Sequence, residues 1–293
     1  MIRKLVLSFA LLASVAACGS SKSGPSAPRT VFGGDRPVTL QIPTAYDGTA
    51  ERPLLVILHG YSVTGPVQEA YLEVSALVNS AGIFVIAPNG LIDSQGEHFW
   101  NATDACCNFD GNPVDDVAYL KGLIADIRHD YKIDPKRIYV WGHSNGAFMT
   151  QRMACEDSAE LAAVVSLAGA QWQDATKCTP TDKVSVLDIH GDADATIAYG
   201  GGAIVGNTYP GEIETMTRWQ TMDTCTAGLV DDPTMIDLDS GLAGAETKVS
   251  RFAGCPAGIG AELWTIQAGG HIPTWTPGIA STVYTWLSAH PKP

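Results

Sequence analysis

The chain has 293 residues, 45% of them hydrophobic, and a formal net charge of −13 from 18 Lys and Arg against 31 Asp and Glu. This length and apolar content suffice for one domain with a large core. A chain this acidic is poorly suited to binding nucleic acid or an anionic membrane surface, so we expect no nucleic-acid partner.

The start of the chain predicts export from the cytoplasm. A charged beginning is followed by an apolar run, residues 5–17, that is too short to span a membrane, so residues 1–17 are interpreted as a signal peptide. Cys18 completes a bacterial lipobox, and residues 18–36 are interpreted as a hydrophilic tether. Plain cleavage after Ala-x-Ala is the alternative. We expect an extracytoplasmic lipoprotein, at the outer membrane or cell surface or released, whose catalytic domain occupies residues 37–293.

Short apolar runs alternate with amphipathic helical stretches along that domain. This alternation is typical of a mostly parallel sheet with helices on both faces, and it predicts an α/β fold. The predicted strands are residues 38–42, 54–58, 83–87, 138–141, 164–167, 184–189 and 263–266, with an inserted hairpin of residues 234–238 and 247–252. The predicted helices are residues 66–80, 117–131, 145–154, 212–224 and 277–289.

His59-Gly60-Tyr61 follows the early strand of residues 54–58. Glycine at position 60 lets the backbone come close to a substrate carbonyl, and the N–H of Tyr61 is then expected to face a developing oxyanion. For His59 we favour a buried histidine bonded to backbone over a direct catalytic part.

The segment from Tyr139 to Gly146 is the most informative in the chain. A buried strand runs into Gly142-His143-Ser144-Asn145-Gly146 and then into a helix, the context of a nucleophile elbow. A serine hydroxyl needs such exposure on a tight turn, because a histidine must take its proton. The N–H of Asn145 is the second expected oxyanion donor. A plain strand-to-helix turn is the alternative.

A nucleophile of this kind predicts an acid and then a histidine later in the chain, each just past a strand. Residues 184–189 run into a loop that carries Asp192 and Asp194, and residues 263–266 precede a glycine-rich loop with His271. The alternatives are turn or cap roles for the two aspartates and a surface position for the histidine.

Together these motifs resemble the secreted α/β-hydrolase esterases that include feruloyl esterases and polyhydroxybutyrate depolymerases. The similarity runs from about residue 37 to residue 287. It is carried by His59-Gly60-Tyr61, Trp100-Asn101-Ala102, Cys106-Cys107, residues 114–120, Ile133-Asp134-Pro135, Gly142-His143-Ser144-Asn145-Gly146, His190-Gly191-x-x-Asp194 and Gly269-Gly270-His271.

The resemblance implies an α/β-hydrolase fold and a triad of Ser144, Asp194 and His271. The sequence departs from the family pattern at two places. Asp192 stands where relatives carry a small polar residue, and residues 272–275 replace the usual Trp-Pro-Gly. These departures leave a second carboxylate near the base and alter one wall of the substrate site.

Six cysteines remain once Cys18 is set aside, and in an oxidising compartment disulfides are expected. Position along the chain pairs Cys155 with Cys178 and Cys225 with Cys255. Elimination leaves a vicinal bridge between Cys106 and Cys107. No histidine stands at ligand spacing from these cysteines, so we expect no metal.

Aromatic residues in loops at the predicted catalytic edge suit an aromatic or saccharide ester, and Trp100 and Trp275 are the expected substrate contacts. We expect a monomeric, cofactor-free serine esterase acting on feruloyl- or acyl-decorated polysaccharide fragments or on short hydroxyalkanoate esters. The alternatives are an acyltransferase with the same triad and a surface lipoprotein that only binds. The last would predict a lost triad member, and none is lost.

Overall fold

The computed structural model describes residues 28–293, so the predicted signal peptide and Cys18 lie outside the described residues. The helices alternate with the larger strands along the chain, as predicted. They are α1 (Gly65–Tyr71), α2 (Ser75–Ser80), α3 (Asp116–Asp130), α4 (Asn145–Glu156), α5 (Glu212–Met222) and α6 (Ile279–Ala289). None of these helices, in the part of the chain from residue 28 onward, is long and apolar enough to cross a bilayer.

Most strands coincide with the predicted ones to within a few residues. The strands are β1 (Val31–Phe32), β2 (Val38–Thr39), β3 (Arg52–Leu58), β4 (Phe84–Ile86), β5 (Leu91–Ile92), β6 (His98–Phe99), β7 (Ile133–His143), β8 (Ala163–Leu167), β9 (Ser185–Gly191), β10 (Gly201–Ile204), β11 (Asn207–Pro210), β12 (Leu229–Asp231), β13 (Thr247–Phe252) and β14 (Ala261–Ile266).

One eight-stranded sheet organises the domain, in the order β12-β13-β14-β9-β8-β7-β3-β4. The six strands from β14 to β4 are parallel, and β12 and β13 add an antiparallel edge. Because parallel strands all end at the same side, the loops after β3, β7, β9 and β14 meet at one edge of the sheet.

Side chains of the central strands alternate between the two faces. In β3, Leu54, Val56 and Leu58 belong to one hydrophobic cluster, whereas Leu55 and Ile57 belong to the other. Residues of α3, α4 and α5 cover the first face, and residues of α1, α2 and α6 cover the second. These five side chains are at most 1% exposed, and burying each contributes about 1.5 to 3 kcal/mol.

Residues 29–36 do not form the predicted tether. Phe32 is 2% exposed, β1 pairs with β2, and the Arg29 guanidinium lies 2.6 Å from the Asp130 carboxylate. The predicted boundary at residue 37 is therefore too late.

One predicted strand and one predicted helix are wrong in extent. The first strand, β2, stops at Thr39, and beyond it only Gln41 makes a bridge, to Val85. The predicted helix of residues 66–80 divides into α1 and α2 where Glu73 adopts a positive φ of 57°. This turn buries the neighbouring side chains on the core.

The predicted hairpin is also wrong. β13 pairs with β14 and with β12, and residues 234–238 contribute a single bridge at Ile236. The Glu246 carboxylate accepts hydrogen bonds from the N–H groups of Leu238 and Asp239, at 3.0 Å each. Those donors are therefore not available for a strand ladder.

Three disulfides join the pairs predicted from the sequence: Cys106–Cys107, Cys155–Cys178 and Cys225–Cys255. The second ties the end of α4 to the segment before β9. The third ties the end of α5 to the segment that follows β13.

Candidate active site

Ser144 stands between β7 and α4 with φ 55° and ψ −122°, a strained conformation for a residue other than glycine. The strain is held by close backbone packing. A Cβ on Gly142 would lie 2.1 Å from the carbonyl oxygen of Gly146, and a Cβ on Gly146 would lie 2.2 Å from that of Leu58. The N–H of Ser144 donates to the carbonyl of Leu167 at 2.8 Å. Only glycine fits on either side of this turn, as the elbow motif predicts.

The structure brings Ser144, His271 and Asp194 together. His271 Nε2 lies 2.9 Å from Ser144 Oγ, and His271 Nδ1 lies 2.7 Å from Asp194 Oδ2. The other oxygen, Asp194 Oδ1, accepts from the N–H groups of Thr196 and Ile197 at 2.7 and 2.9 Å. In this arrangement His271 can take a proton from the hydroxyl while the carboxylate fixes its tautomer.

Asp194 remains charged at neutral pH. Burial raises the pKa of this carboxyl, but hydrogen bonds from His190 and His271 outweigh burial and hold the pKa well below its usual value. Asp192 has a different role: its Oδ1 accepts from the N–H of Ala268 at 2.6 Å. The extra carboxylate noted in the sequence thus joins the Asp194 loop to the His271 loop and does not contact the imidazole.

The loop after β3 lies against the elbow. A Cβ on Gly60 would come within 3.4 Å of Ser144 Cβ, so the backbone at this position passes directly beside the hydroxyl. Within the described residues, neither the Tyr61 N–H nor the Asn145 N–H donates to another protein group. Both backbone groups are therefore free to bind an anionic oxygen.

Two neighbouring histidines are neutral. Burial lowers the pKa of both His59 and His143 to about 4. His59 bonds to backbone on both sides, with Nδ1 2.7 Å from the Gly60 carbonyl and Nε2 accepting from the Gly90 N–H at 2.9 Å. This is the structural role favoured for it from the sequence.

His143 is a site residue that the sequence reasoning missed, although it is the variable residue of the elbow motif. Its Nε2 donates to the backbone carbonyl of His271 at 3.0 Å, and its ring lies 5.1 Å from the His271 ring. On its other side Tyr71 stacks at 5.5 Å, and Trp275 packs on Tyr71 at 5.6 Å. Trp275 is half-buried and reaches the site through this stack.

Trp100 is not a substrate contact, contrary to the sequence prediction. Its side chain is 0% exposed, and its Nε1 donates to the carbonyl of His59 at 3.1 Å. The side chain of Asn145 holds the same residue by two further bonds: Oδ1 accepts from the Trp100 N–H at 2.7 Å, and Nδ2 donates to the Trp100 carbonyl at 3.0 Å. We call this pair of bonds the Asn145 clamp. Trp100 is a buried support for the loop of residues 89–113.

The loop side of the site carries an aromatic pair. The Tyr61 hydroxyl donates to Asp93 Oδ2 at 2.5 Å, a bond that raises the pKa of Tyr61 to about 12. Its ring meets Phe109 edge-on at 5.4 Å, and Phe109 remains 43% exposed. The phenol is neutral and held in place, and an apolar side chain faces solvent beside it.

Asp188, His190 and Glu212 form a buried cluster beneath Asp194, with atoms of metal-ligand type within 4.8 Å of one another. Two ligands of one tetrahedral ion, each about 2.1 Å from it, are about 3.4 Å apart. His190 Nδ1 and Glu212 Oε1 are 2.8 Å apart, which is too close for two ligands of one ion and is the distance of an ion pair. We interpret the cluster as a buried group of ion-paired side chains.

Known proteins resemble this chain over much of its length. A family model described as phospholipase/carboxylesterase matches residues 44–218. NocK of Nocardia uniformis subsp. tsuyamanensis, whose name assigns it provisionally to the esterases, is 26% identical over 78% of this chain and 66% of its own. Feruloyl esterase B of Piromyces equi is 25% identical over 80% of this chain and 42% of its own. Poly(3-hydroxyalkanoate) depolymerase C of Paucimonas lemoignei is 31% identical over 44% of this chain and 31% of its own. The chain spans less than two thirds of each relative.

Among solved structures, an acetyl xylan esterase from Aspergillus awamori matches with a TM-score of 0.60 at 15% identity. The match covers 86% of this chain and 94% of that one. At this identity the likeness concerns the fold alone, and it confirms the predicted α/β-hydrolase fold.

The Asn145 clamp generates a stability prediction. Asn145→Ala leaves the Trp100 N–H buried without a partner, whereas the Trp100 carbonyl still accepts from the Ala102 N–H at 3.0 Å. We therefore expect the free energy of unfolding to fall by about 1 to 3 kcal/mol. Urea denaturation measures the change. Asn207→Ala, at an exposed position of β11, is the control and should stay within about 0.5 kcal/mol of the parent. Equal stability of Asn145→Ala and the parent would show that the clamp contributes nothing.

Proposed function

The chain belongs to the phospholipase/carboxylesterase family, and we propose on this basis that it is a serine carboxylic-ester hydrolase with Ser144 as nucleophile, His271 as base and Asp194 as acid. The observation that carries the proposal is the unbroken hydrogen-bonded series from Ser144 Oγ through the His271 ring to Asp194 Oδ2, at 2.9 and 2.7 Å. This series starts at a hydroxyl that is held in a strained elbow and is open to solvent.

In the first half-reaction, Ser144 Oγ attacks the ester carbonyl carbon while its proton passes to His271 Nε2. The carbonyl oxygen becomes an oxyanion, and the free N–H groups of Tyr61 and Asn145 stabilise it. His271 then gives the proton to the leaving alcohol as the ester C–O bond breaks. The acyl group stays on Ser144.

In the second half-reaction, water attacks the acyl carbon, His271 takes its proton, and Ser144 leaves with that proton as the carboxylic acid is released. Hydrolysis is favoured over acyl transfer because the site is open. Ser144 is partly exposed, and the His271 side chain is 13% exposed, so water reaches the acyl-enzyme.

The substrate we infer is an ester with an aromatic or short acyl portion, either feruloyl or acyl groups on polysaccharide fragments or short hydroxyalkanoate esters. Exposed apolar side chains lie next to two residues of the site. Phe109 packs beside Tyr61, and Ile272, which follows His271, is 67% exposed. Trp275 is the proposed far wall. The names of the feruloyl esterase and depolymerase relatives support the same class.

Ser144→Ala tests the function itself. The variant should fold normally. Its kcat should fall by about three or more orders of magnitude, because the nucleophile is removed. The panel to assay is methyl ferulate, short acyl nitrophenyl esters and hydroxybutyrate oligomers. A fluorophosphonate probe should label the parent and spare the variant. A parent that cleaves none of the esters, or a variant that is still labelled, would contradict the proposal.

The two aspartates provide a matched pair. Asp194→Asn removes the charge that orients His271 and stabilises the imidazolium, so kcat should fall by about three to four orders of magnitude. Asp192→Asn keeps an oxygen that can accept from the Ala268 N–H, and its kcat should remain within about tenfold of the parent. The measurement is kcat at pH 7 to 8 with one ester. A larger loss for Asp192→Asn would reverse the assignment of the acid.

We also infer that the mature monomer is held at the outer membrane or cell surface through lipid on Cys18, because two or more acyl chains anchor firmly where one does not. The lipobox supports this inference. Detergent phase partitioning of the cell-expressed protein should place the parent in the detergent phase. Cys18→Ser should be released or left unprocessed, and Ser21→Ala should behave as the parent. A parent in the aqueous phase would refute the anchor.

A further inference from the structure

A second histidine lies directly beneath the proposed triad. His190 and Asp188 stand two residues apart on β9 and therefore on the same face, and Glu212 reaches them from the first turn of α5. The side chains of His190 and Glu212 are at most 1% exposed, and Asp188 is 0% exposed. The mechanism above uses none of the three.

One carboxylate oxygen, Asp194 Oδ2, lies between this cluster and the triad histidine. Glu212 Oε1 lies 2.8 Å from His190 Nδ1. His190 Nε2 lies 2.8 Å from the carbonyl of Ile197 and 3.2 Å from Asp194 Oδ2. The same Oδ2 is the one that lies 2.7 Å from His271 Nδ1. Asp194 therefore sits between two imidazoles.

The number of protons on the His190 ring follows from its neighbours, because some of them can only accept a hydrogen bond. The Ile197 carbonyl carries no proton, so His190 Nε2 must carry one. His190 Nδ1 and Glu212 Oε1 approach to 2.8 Å, and two bare acceptor atoms at this distance would repel each other, so the pair holds a second proton. On the ring it makes an imidazolium facing a carboxylate, which is the arrangement that two flanking acids favour.

Charges around the ring support that assignment. Burial lowers the pKa of His190, but Glu212, Asp194 and Asp188 together raise it well above its usual value. Burial and the neighbouring Glu212 raise the pKa of Asp188 well above the usual range, so this acid is neutral. Other groups facing the cluster are uncharged: Gln151 Nε2 donates to Asp188 Oδ2 at 3.2 Å, the Tyr199 ring lies 5.7 Å from His190, and burial keeps the nearby His143 neutral.

We propose that His190 is a positioning residue: a buried imidazolium, held by Glu212, that bridges to Asp194 and keeps its carboxylate fixed and charged toward His271. The proposal rests on the proposed function. Thr196 and Ile197 fix one Asp194 oxygen through backbone N–H groups, and His190 fixes the other, the oxygen that His271 uses. When His271 takes the proton of Ser144, two positively charged rings share one carboxylate oxygen.

Glu212→Gln tests the bridge with nearly unchanged shape. Without the carboxylate, His190 loses its second proton, and the positive charge near Asp194 disappears. We expect kcat to fall about tenfold to a hundredfold while KM stays within about threefold. The acid limb of the kcat/KM profile should move to higher pH by about 0.5 to 1 unit, because a positive charge beside Asp194 is then lost.

Asp223→Asn is the matched control, since Asp223 is a carboxyl that is 1% exposed at the other end of α5 and accepts only from the Val184 N–H. It should leave kcat and the acid limb as in the parent. If Glu212→Gln lowers activity but does not move the acid limb, His190 has only a packing role, and the proposal is overturned. An equal shift in Asp223→Asn would overturn it as well.

Nitrogen-15 NMR of histidine-labelled parent protein reads the charge state directly and does not depend on activity. His190 is assigned by the signals that vanish in His190→Gln. At pH 8 we expect two protonated ring nitrogens, and a neutral ring in the parent would refute the proposal. The metal content of the same protein is measured as well, and a stoichiometric divalent ion would also refute the proposal. A charged His190 in a protein that cleaves no ester would instead count against the proposed function alone.

Discussion

Close backbone packing at the elbow is the constraint on which the rest of the site depends. No side-chain atom fits at Gly142 or Gly146, so the end of β7 and the first turn of α4 touch through main-chain atoms. The chain can then reverse only through a strained residue, and Ser144 occupies that position. The hydroxyl, the free N–H of Asn145 and the clamp to Trp100 all follow from this one contact. The neighbouring strands then supply the imidazole and the carboxylate from the same edge.

Sequence periodicity predicted the parallel sheet, because buried strands and amphipathic helices carry regular patterns of apolar residues. It also predicted the elbow and the loops that bring His271 and Asp194 to it, since each motif immediately follows a strong strand. Partner choice at the antiparallel edge was not predictable, because it depends on the Glu246 carboxylate taking two backbone donors. The burial of Trp100 was not predictable either, because it results from contacts with residues distant in sequence. The position of His190 between two carboxylates likewise depends on how β9 and α5 pack together.

Environment gives the histidines around the site different charges. Desolvation is the largest influence on the pKa of both His59 and His143, and both are neutral at physiological pH. His190 is equally buried but has acids on both sides, and these reverse the outcome. Neutral rings suit positions that bond to backbone carbonyls, and a charged ring suits the position between two carboxylates. A protein with a net negative charge can thus hold a positively charged histidine in its interior, next to the site.

The Asn145 clamp divides the loop of residues 89–113 into two parts with different freedom to change. Its base, at Trp100, is joined to the first residue of α4 and is fully buried, whereas residue Phe109 and its neighbours near the tip are exposed. Evolution or a designer can therefore exchange the tip as a module without disturbing the elbow. Grafting tips of other lengths onto the same base would give a library in which ester selectivity varies while the reaction chemistry is retained.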